Sequence, residues 1–321
     1  MSEKILLIDG NHAVHRAYFS VPDNMTAPTG EKTNAVHGFF QILLKAVEKL
    51  DVDSVIVCWD WGKPVHRTEA LPEYKSNREP MKDSLKEQFP IIRELLNAIN
   101  VGQIGIQGQE ADDIIGTLSR LNRENGDETY ILSGDRDMFQ LVNEKVKVVR
   151  PVKGGELVIY DENRVEEEYG VQPSRYIDLV AMRGDSSDCI TGIPGIGEKT
   201  AVKLMQEYKT LDKILLHMKD IKGKVGEMIR ENWEQALLSR DIARININLE
   251  LDKDFDDNHW GNFTEYHIKE YFGKYNLNSA INRLLKHCEG GRFNKNTVVT
   301  VAEEPVIIAP KKYPEEQDRL F

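Results

Sequence analysis

Residues 4–8 form an unbroken aliphatic run that stops at Asp9, the pattern of a short strand covered on both faces. Residues 55–59 repeat it and stop at Asp60, and residues 129–132 lead into Ser133-Gly134-Asp135-Arg136-Asp137. A weaker run at 101–106, diluted by two glycines, precedes Gln109-Glu110-Ala111-Asp112-Asp113. Between these runs the apolar period changes. Val36, Phe39, Phe40, Leu43, Leu44, Val47 and Leu50 define one face of a helix over 35–50. Residues 89–99 read as an amphipathic helix and 114–121 as a further helix, and Gly10-Asn11-His12 as a turn before a segment at 13–19 with Arg16 embedded. Residues 146–149 and 157–160, split by Lys153-Gly154-Gly155, predict a hairpin. Strands alternating with helices predict an α/β fold, a mostly parallel central sheet flanked by helices and joined by right-handed crossovers.

After Pro173 the pattern is helical, over 176–183, 199–208, 211–218, 226–239, 265–272 and 280–288. This gives a catalytic-type α/β domain at 1–180, a helical region at 181–290 and a flexible tail at 291–321. Residues 61–92 do not fit the alternation. Lys63, His66, Arg67, Lys75, Arg78, Lys82 and Lys86 interleave with acids around Tyr74 and leave no sustained apolar face, which predicts a solvent-exposed arm.

Charge and cysteine content narrow the classes. A net charge of −11 over 321 residues disfavours uniform attraction to nucleic acid, but local clusters set local fields. Cys58, Cys189 and Cys288 are odd in number and widely spaced, which suits free thiols in a cytoplasmic protein. No apolar run is long enough to cross a bilayer, so no membrane partner is expected. His12 and His15 lack a third zinc ligand nearby.

Ligand sites of open parallel sheets lie outside the carboxyl ends of the strands. Asp9, Asp60 and Asp135 fall at such ends, and Glu110, Asp112 and Asp113 open the helix after another strand. Acids at a helix start also suit the macrodipole, but capping does not call for three in four residues. Two like charges about 4 Å apart repel by roughly 4 kcal/mol at an effective dielectric of about 20, so convergence demands compensating cations. Oxygen donors alone point to Mg²⁺ or Mn²⁺ rather than zinc.

Farther along, Asp185 and Asp188 precede Gly192-Ile193-Pro194-Gly195-Ile196-Gly197 and a helix start, where backbone N–H groups suit a phosphate. Metal-seeking carboxylates beside phosphate-seeking backbone suggest phosphodiester hydrolysis, in which two divalent ions activate water and stabilise the leaving oxygen. Lys75 and Arg78 would offset charge on the phosphate.

Six motifs in order, Ile8-Asp9-Gly10, Arg16-Ala17-Tyr18, Pro72 to Arg78, Glu110-Ala111-Asp112-Asp113, Ser133 to Asp137 and Gly184 to Asp188, resemble the bacterial and bacteriophage 5′ nucleases. This is the 5′→3′ exonuclease and flap endonuclease family that includes the N-terminal domain of DNA polymerase I. The resemblance spans about residues 4–285. It implies one metal site around Asp9, Asp60, Glu110 and Asp112, and a second around Asp135, Asp137, Asp185 and Asp188 with Asp113 in support. It also implies catalytic roles for Lys75 and Arg78, and DNA contacts from Arg16, Arg67, Tyr74, Lys199 and Thr200. Gly192, Gly195 and Gly197 match a helix-three-turn-helix element that grips duplex DNA and in relatives often holds K⁺.

The implied substrates are DNA with 5′ flaps or 5′ ends and RNA–DNA hybrid, including RNA primers, in replication or repair. The implied form is a free-standing monomer. Cys189 and Thr191 stand where many relatives have Asn and Pro, and His66 replaces a frequent Phe. Gln317, Leu320 and Phe321 resemble a sliding-clamp-binding peptide. The alternative at this stage is a non-catalytic adaptor that binds branched DNA and docks on a clamp.

Overall fold

The computed structural model describes residues 2–251, 259–289 and 306–308. In chain order the elements are β1 (Lys4–Asp9), α1 (Gly10–Ser20), α2 (Asn34–Leu50), β2 (Ser54–Trp61), α3 (Val65–Ala70), α4 (Asp83–Lys86), α5 (Gln88–Ala98), β3 (Gly102–Gln107), α6 (Ala111–Asn125) and β4 (Glu128–Leu132). There follow β5 (Val146–Pro151), β6 (Leu157–Tyr160), α7 (Glu162–Tyr169), α8 (Tyr176–Arg183), α9 (Glu198–Tyr208), α10 (Leu211–Leu216), α11 (Gly223–Ala243), α12 (Glu265–His267), α13 (Asn278–Glu289) and β7 (Val306–Ile308). The strands form one sheet in the order β6-β5-β4-β1-β2-β3-β7. Every pairing is parallel except β5 with β6, the hairpin expected from the glycine pair.

Alternation along β1 explains the layering. Ile5 and Leu7 belong to one apolar cluster with Ile56, Cys58, Ile104 and the buried side of α6. Leu6 and Ile8 belong to the opposite cluster with Val55, Val57, Trp59, α2 and α5. A strand clothed on both faces must be apolar at every position, which is why its run is continuous rather than alternating.

The helices after residue 176 are shared between these layers. The clusters join α8, α9, α10 and α11 to the face carrying Leu7. The chain then returns to the other face, where Phe272 meets Phe40 at a ring separation of 4.9 Å and Arg283 pairs with Glu48 at 2.8 Å. The region expected as one helical unit at 181–290 therefore packs as two pieces. Contacts between distant segments carry no local signature, so the pattern could not reveal this division.

Three further differences have identifiable causes. The turn expected at Gly10–His12 is the first turn of α1, because the Asp9 side chain accepts the His12 N–H at 3.0 Å and caps the helix. Helix α7 was not foreseen; Asp161 caps it in the same way. Within the expected tail, Val306–Ile308 runs parallel to β3. The proposed clamp peptide, Gln317 to Phe321, lies outside the described residues.

Candidate metal and nucleic-acid site

The carboxyl ends of β1, β2 and β4 and the start of α6 open on one cavity of about 600 Å³. Asp9, Asp60, Asp112 and Asp135 line it together with Asn11, His12, Lys75 and Arg78. Each acid is positioned by local structure. Asp9 is the α1 cap and accepts the Ser133 hydroxyl at 2.9 Å on its second oxygen. Asp60 accepts the Ala111 N–H at 2.8 Å, so the α6 N-terminus orients it, while its own N–H donates to Asn11 at 3.2 Å. Ser133 also accepts the Asp135 N–H at 3.0 Å, and Asp135 accepts the Asp137 N–H at 2.9 Å. Gly134 is required here. A side chain on it would lie 2.4 Å from the His12 ring, and its N–H donates to His12 Nδ1 at 3.2 Å.

The remaining acids of the expected set divide. Glu110 is buried behind Lys75, whose Nζ lies 2.5 Å from it and 3.6 Å from Asp188. Asp188 also pairs with Arg78 at 2.8 Å and receives the Tyr74 hydroxyl at 3.4 Å. Asp185 sits in the tight loop closed by reciprocal 2.8 Å backbone bonds with Ile190 and accepts from Ser187. Asp113 does not face the cavity. It is clamped by two Arg67 nitrogens at 2.8 Å and by the Asn246 N–H at 2.8 Å.

Like charges dominate the electrostatics. Burial pushes Asp9 up to about 7, with Asp60 and Asp135 adding to the rise. Burial likewise raises Asp60, Asp112 and Asp137, and Asp135 is a repelling neighbour of the last two. For Glu110 burial acts upward but is outweighed by Lys75 and Arg67, which hold it below the usual carboxylate range. Burial lowers His12, so its ring is the neutral acceptor that the Gly134 bond requires. Among the described residues no three His, Cys, Asp or Glu side chains gather closely enough to ligate one ion directly. Mutual repulsion spreads such a group, and a hydrated Mg²⁺ needs only a few direct carboxylates, the others holding its waters. A wall dominated by carboxylate oxygens therefore fits a hard divalent cation.

The folded protein holds protons on these acids more tightly than the unfolded chain does. For Asp9 that contribution is fully present below about pH 4 and is lost as pH rises through about 7, and Asp60, Asp112 and Asp137 act in the same direction. Glu110 opposes this only at the acid end, where its lowered pKa makes it lose stabilisation as pH falls. Urea midpoints in EDTA are therefore expected to rise from pH 8 to about pH 5.5, and saturating Mg²⁺ should flatten or reverse that slope. A flat profile in EDTA would show that the acids are not strained.

The expected DNA contacts are less uniform. Arg16 is half-buried on α1 and does not line the cavity. Tyr74 is buried, its hydroxyl 3.1 Å from Glu110. Arg67 is buried, and all five of its N–H groups are used, on Glu110, Asp113 and the Ile242 and Arg244 carbonyls. The arm expected to be solvent-exposed is thus partly internal, because polar pairing rather than an apolar face buries Arg67 and Tyr74. Its next residues dock on the 184–191 loop, through Lys75 N–H to Asp188 O at 3.2 Å and Asn77 to Ser186 O at 2.9 Å.

Between α8 and α9 the glycine loop is built on contact. At Gly192, φ is +66° and a side chain would lie 2.3 Å from the Gly184 nitrogen. Gly195, Gly197 and Lys199 are exposed, Thr200 is half-buried, and Gly197 caps α9 without a side-chain bond. Ser133 and Asn11 were missed as supporting residues. The only sequence signal was a hydroxyl or amide one or two places from a strand-end aspartate.

A family model for the 5′-3′ exonuclease N-terminal resolvase-like domain matches residues 4–170, and one for the 5′-3′ exonuclease C-terminal SAM fold matches 171–265. A 5′-3′ exonuclease of Bacillus subtilis strain 168 is 38% identical over 255 residues, covering 78% of this chain and 86% of that one. DNA polymerase I of Bacillus caldotenax is 40% identical over 259 residues, and this chain spans 29% of that polymerase. Among solved structures, bacteriophage T5 5′-exonuclease with bound divalent zinc has a TM-score of 0.64 at 20% identity, covering 88% of this chain and 98% of that one. The catalytic core of Rad2 in complex with DNA substrate has a TM-score of 0.60 at 16% identity, covering 89% and 92%. At those identities the two structures speak for the shared fold. The chain belongs to the 5′-3′ exonuclease family.

Proposed function

We propose that this protein hydrolyses phosphodiester bonds at 5′ flaps and 5′ ends of DNA or RNA–DNA hybrid, including RNA primers, with Mg²⁺ held at the acidic cavity. One observation carries the reading: four aspartates from separate strand ends and a helix start share a single cavity with Lys75 and Arg78. T5 exonuclease with divalent metal and Rad2 with DNA, proteins of the same fold, support it.

Asp9, Asp60, Asp112 and Asp135, with Glu110 behind them, would hold the first cation and its water. Asp137, Asp185 and Asp188 would serve the second. Bound there, the cations supply activated water and neutralise charge on the phosphate. Lys75 and Arg78 rest on Glu110 and Asp188, and a scissile phosphate would offer them equivalent oxygens, so they would neutralise its charge. Tyr74 keeps the arm seated on Glu110. The Gly192–Gly197 loop, Lys199 and Thr200 would hold duplex backbone at the start of α9, a contact that reads shape rather than sequence, with K⁺ at the loop carbonyls. Arg16 would add a phosphate contact from α1. Gln317, Leu320 and Phe321 would dock on a sliding clamp, and the protein acts as a monomer in the cytoplasm.

A 5′-labelled flap duplex tests the central claim. Cleavage near the junction is expected with Mg²⁺ and none in EDTA, with nicked and primer-hybrid substrates ranking the preference. Binding without cleavage in Mg²⁺ or Mn²⁺ would return the protein to the adaptor reading. For the tail, a chain ending at Thr300 should lose clamp affinity; unchanged affinity ends that idea.

A further inference from the structure

The cavity is chemically two-ended. Part of its lining is the aspartate group and part is apolar, from Phe19, Pro80 and Met81 together with the buried Leu85. Phe19 is 61% exposed. A single exposed aromatic on a convex surface calls for no explanation. Phe19 differs because it lines a concavity and continues a row of rings.

Residues 12, 15 and 19 are spaced i, i+3 and i+7 on α1, so they share one helix face, and all three line the cavity. The His15 and Phe19 rings are 4.8 Å apart and tilted by 55°. Across from them runs the arm from Lys75 to Lys82. That arm is tied to α1, where the Tyr18 hydroxyl meets Ser84 at 2.8 Å and Lys82 Nζ stands 5.6 Å from the Phe19 ring. The result is a slot with aromatic rings on one wall and Lys75, Arg78 and Lys82, with Glu79 among them, on the other. Single-stranded nucleic acid is bound by that combination, bases on aromatic faces and phosphates on a basic track.

Resting on the nuclease reading, we infer that Phe19 is a positioning residue that stacks on an unpaired base of the 5′ strand, with Lys82 neutralising the adjoining phosphate. Ten residues of helix separate Phe19 from Asp9, about 15 Å. That distance spans more than one nucleotide of an unpaired strand, so the base concerned lies a few nucleotides from the scissile phosphate rather than beside it. Stacking tolerates any base, in keeping with recognition by structure.

The test pairs the residue with the base. Single abasic nucleotides are placed in turn along the 5′ strand of a cleavable flap, and kcat and KM are measured with Mg²⁺ for the wild type, Phe19→Ala and Phe19→Trp. One abasic position should raise the wild-type KM about tenfold, with kcat little changed. Phe19→Ala should show that same rise on intact substrate and no further loss at that position, whereas Phe19→Trp should restore both. Lys82→Ala should weaken binding at every position and reduce its salt dependence. If the wild type cuts but Phe19→Ala leaves KM and the abasic profile unchanged, the stacking role is overturned while the nuclease reading stands. If the wild type cuts nothing, both fall. Because Phe19 is exposed, an unaltered melting temperature for Phe19→Ala separates lost stacking from lost folding.

Discussion

Asp135→Asn is expected to abolish cleavage while making the metal-free protein more stable. Asp135 repels Asp9, Asp112 and Asp137, raising the proton affinity of each. Two carboxylates about 7 Å apart repel by roughly 2 kcal/mol at an effective dielectric of about 20. Partial protonation already relieves some of this, so a gain on the order of 1 kcal/mol in EDTA is the expected net effect. Asparagine keeps the shape and can still accept the Asp137 N–H at its carbonyl oxygen, so the local turn survives. It removes a formal charge from the cation site, and a loss of about a thousandfold or more in kcat is expected. Melting curves in EDTA and Mg²⁺, beside flap cleavage, check both halves. Wild type should gain more from Mg²⁺ than the variant does. A variant that is destabilised in EDTA, or that cuts within tenfold of wild type, would show that Asp135 is not the centre of the strain.

The second large effect falls on stability. Arg67→Ala should cost about 3–5 kcal/mol, the usual penalty for breaking a buried ion pair from one side. Glu110 and Asp113 would be left buried with less compensation, and the Ile242 and Arg244 carbonyls would lose a donor. Arg67→Lys keeps the charge but not the planar fork that reaches both acids, so it should recover only part of the loss. Urea unfolding measures the difference. A phosphate-contact role predicts the reverse, with folding unchanged and DNA affinity lost, and that outcome would return Arg67 to the interface.

Much of the site was legible in the chain because a strand-end aspartate declares itself locally. A continuous apolar run specifies a two-sided strand whose end emerges at the ligand edge, which places Asp9 and Asp60, with Asp135 in the loop just past β4. The motifs then carried the family. Arg67, Asp113 and Tyr74 were not legible in the same way. Whether a charged side chain in a polar segment meets solvent or a buried partner depends on what comes to face it, and Asp113 and the Ile242 carbonyl lie 46 and 175 residues away.

By itself the sequence determined the strand order of events: where apolar runs start and stop, which acids end them, and where glycine relieves a turn. Those are properties of neighbours along the chain, fixed by period and sterics. Only the tertiary structure decided which acids share a cavity, which two are neutralised by Arg67, and that an arm without an apolar face can still bury that arginine. Like charges resist being brought together, so the fold must impose their gathering, with Lys75 standing between Glu110 and Asp188 and Arg78 paired with Asp188 at its edge.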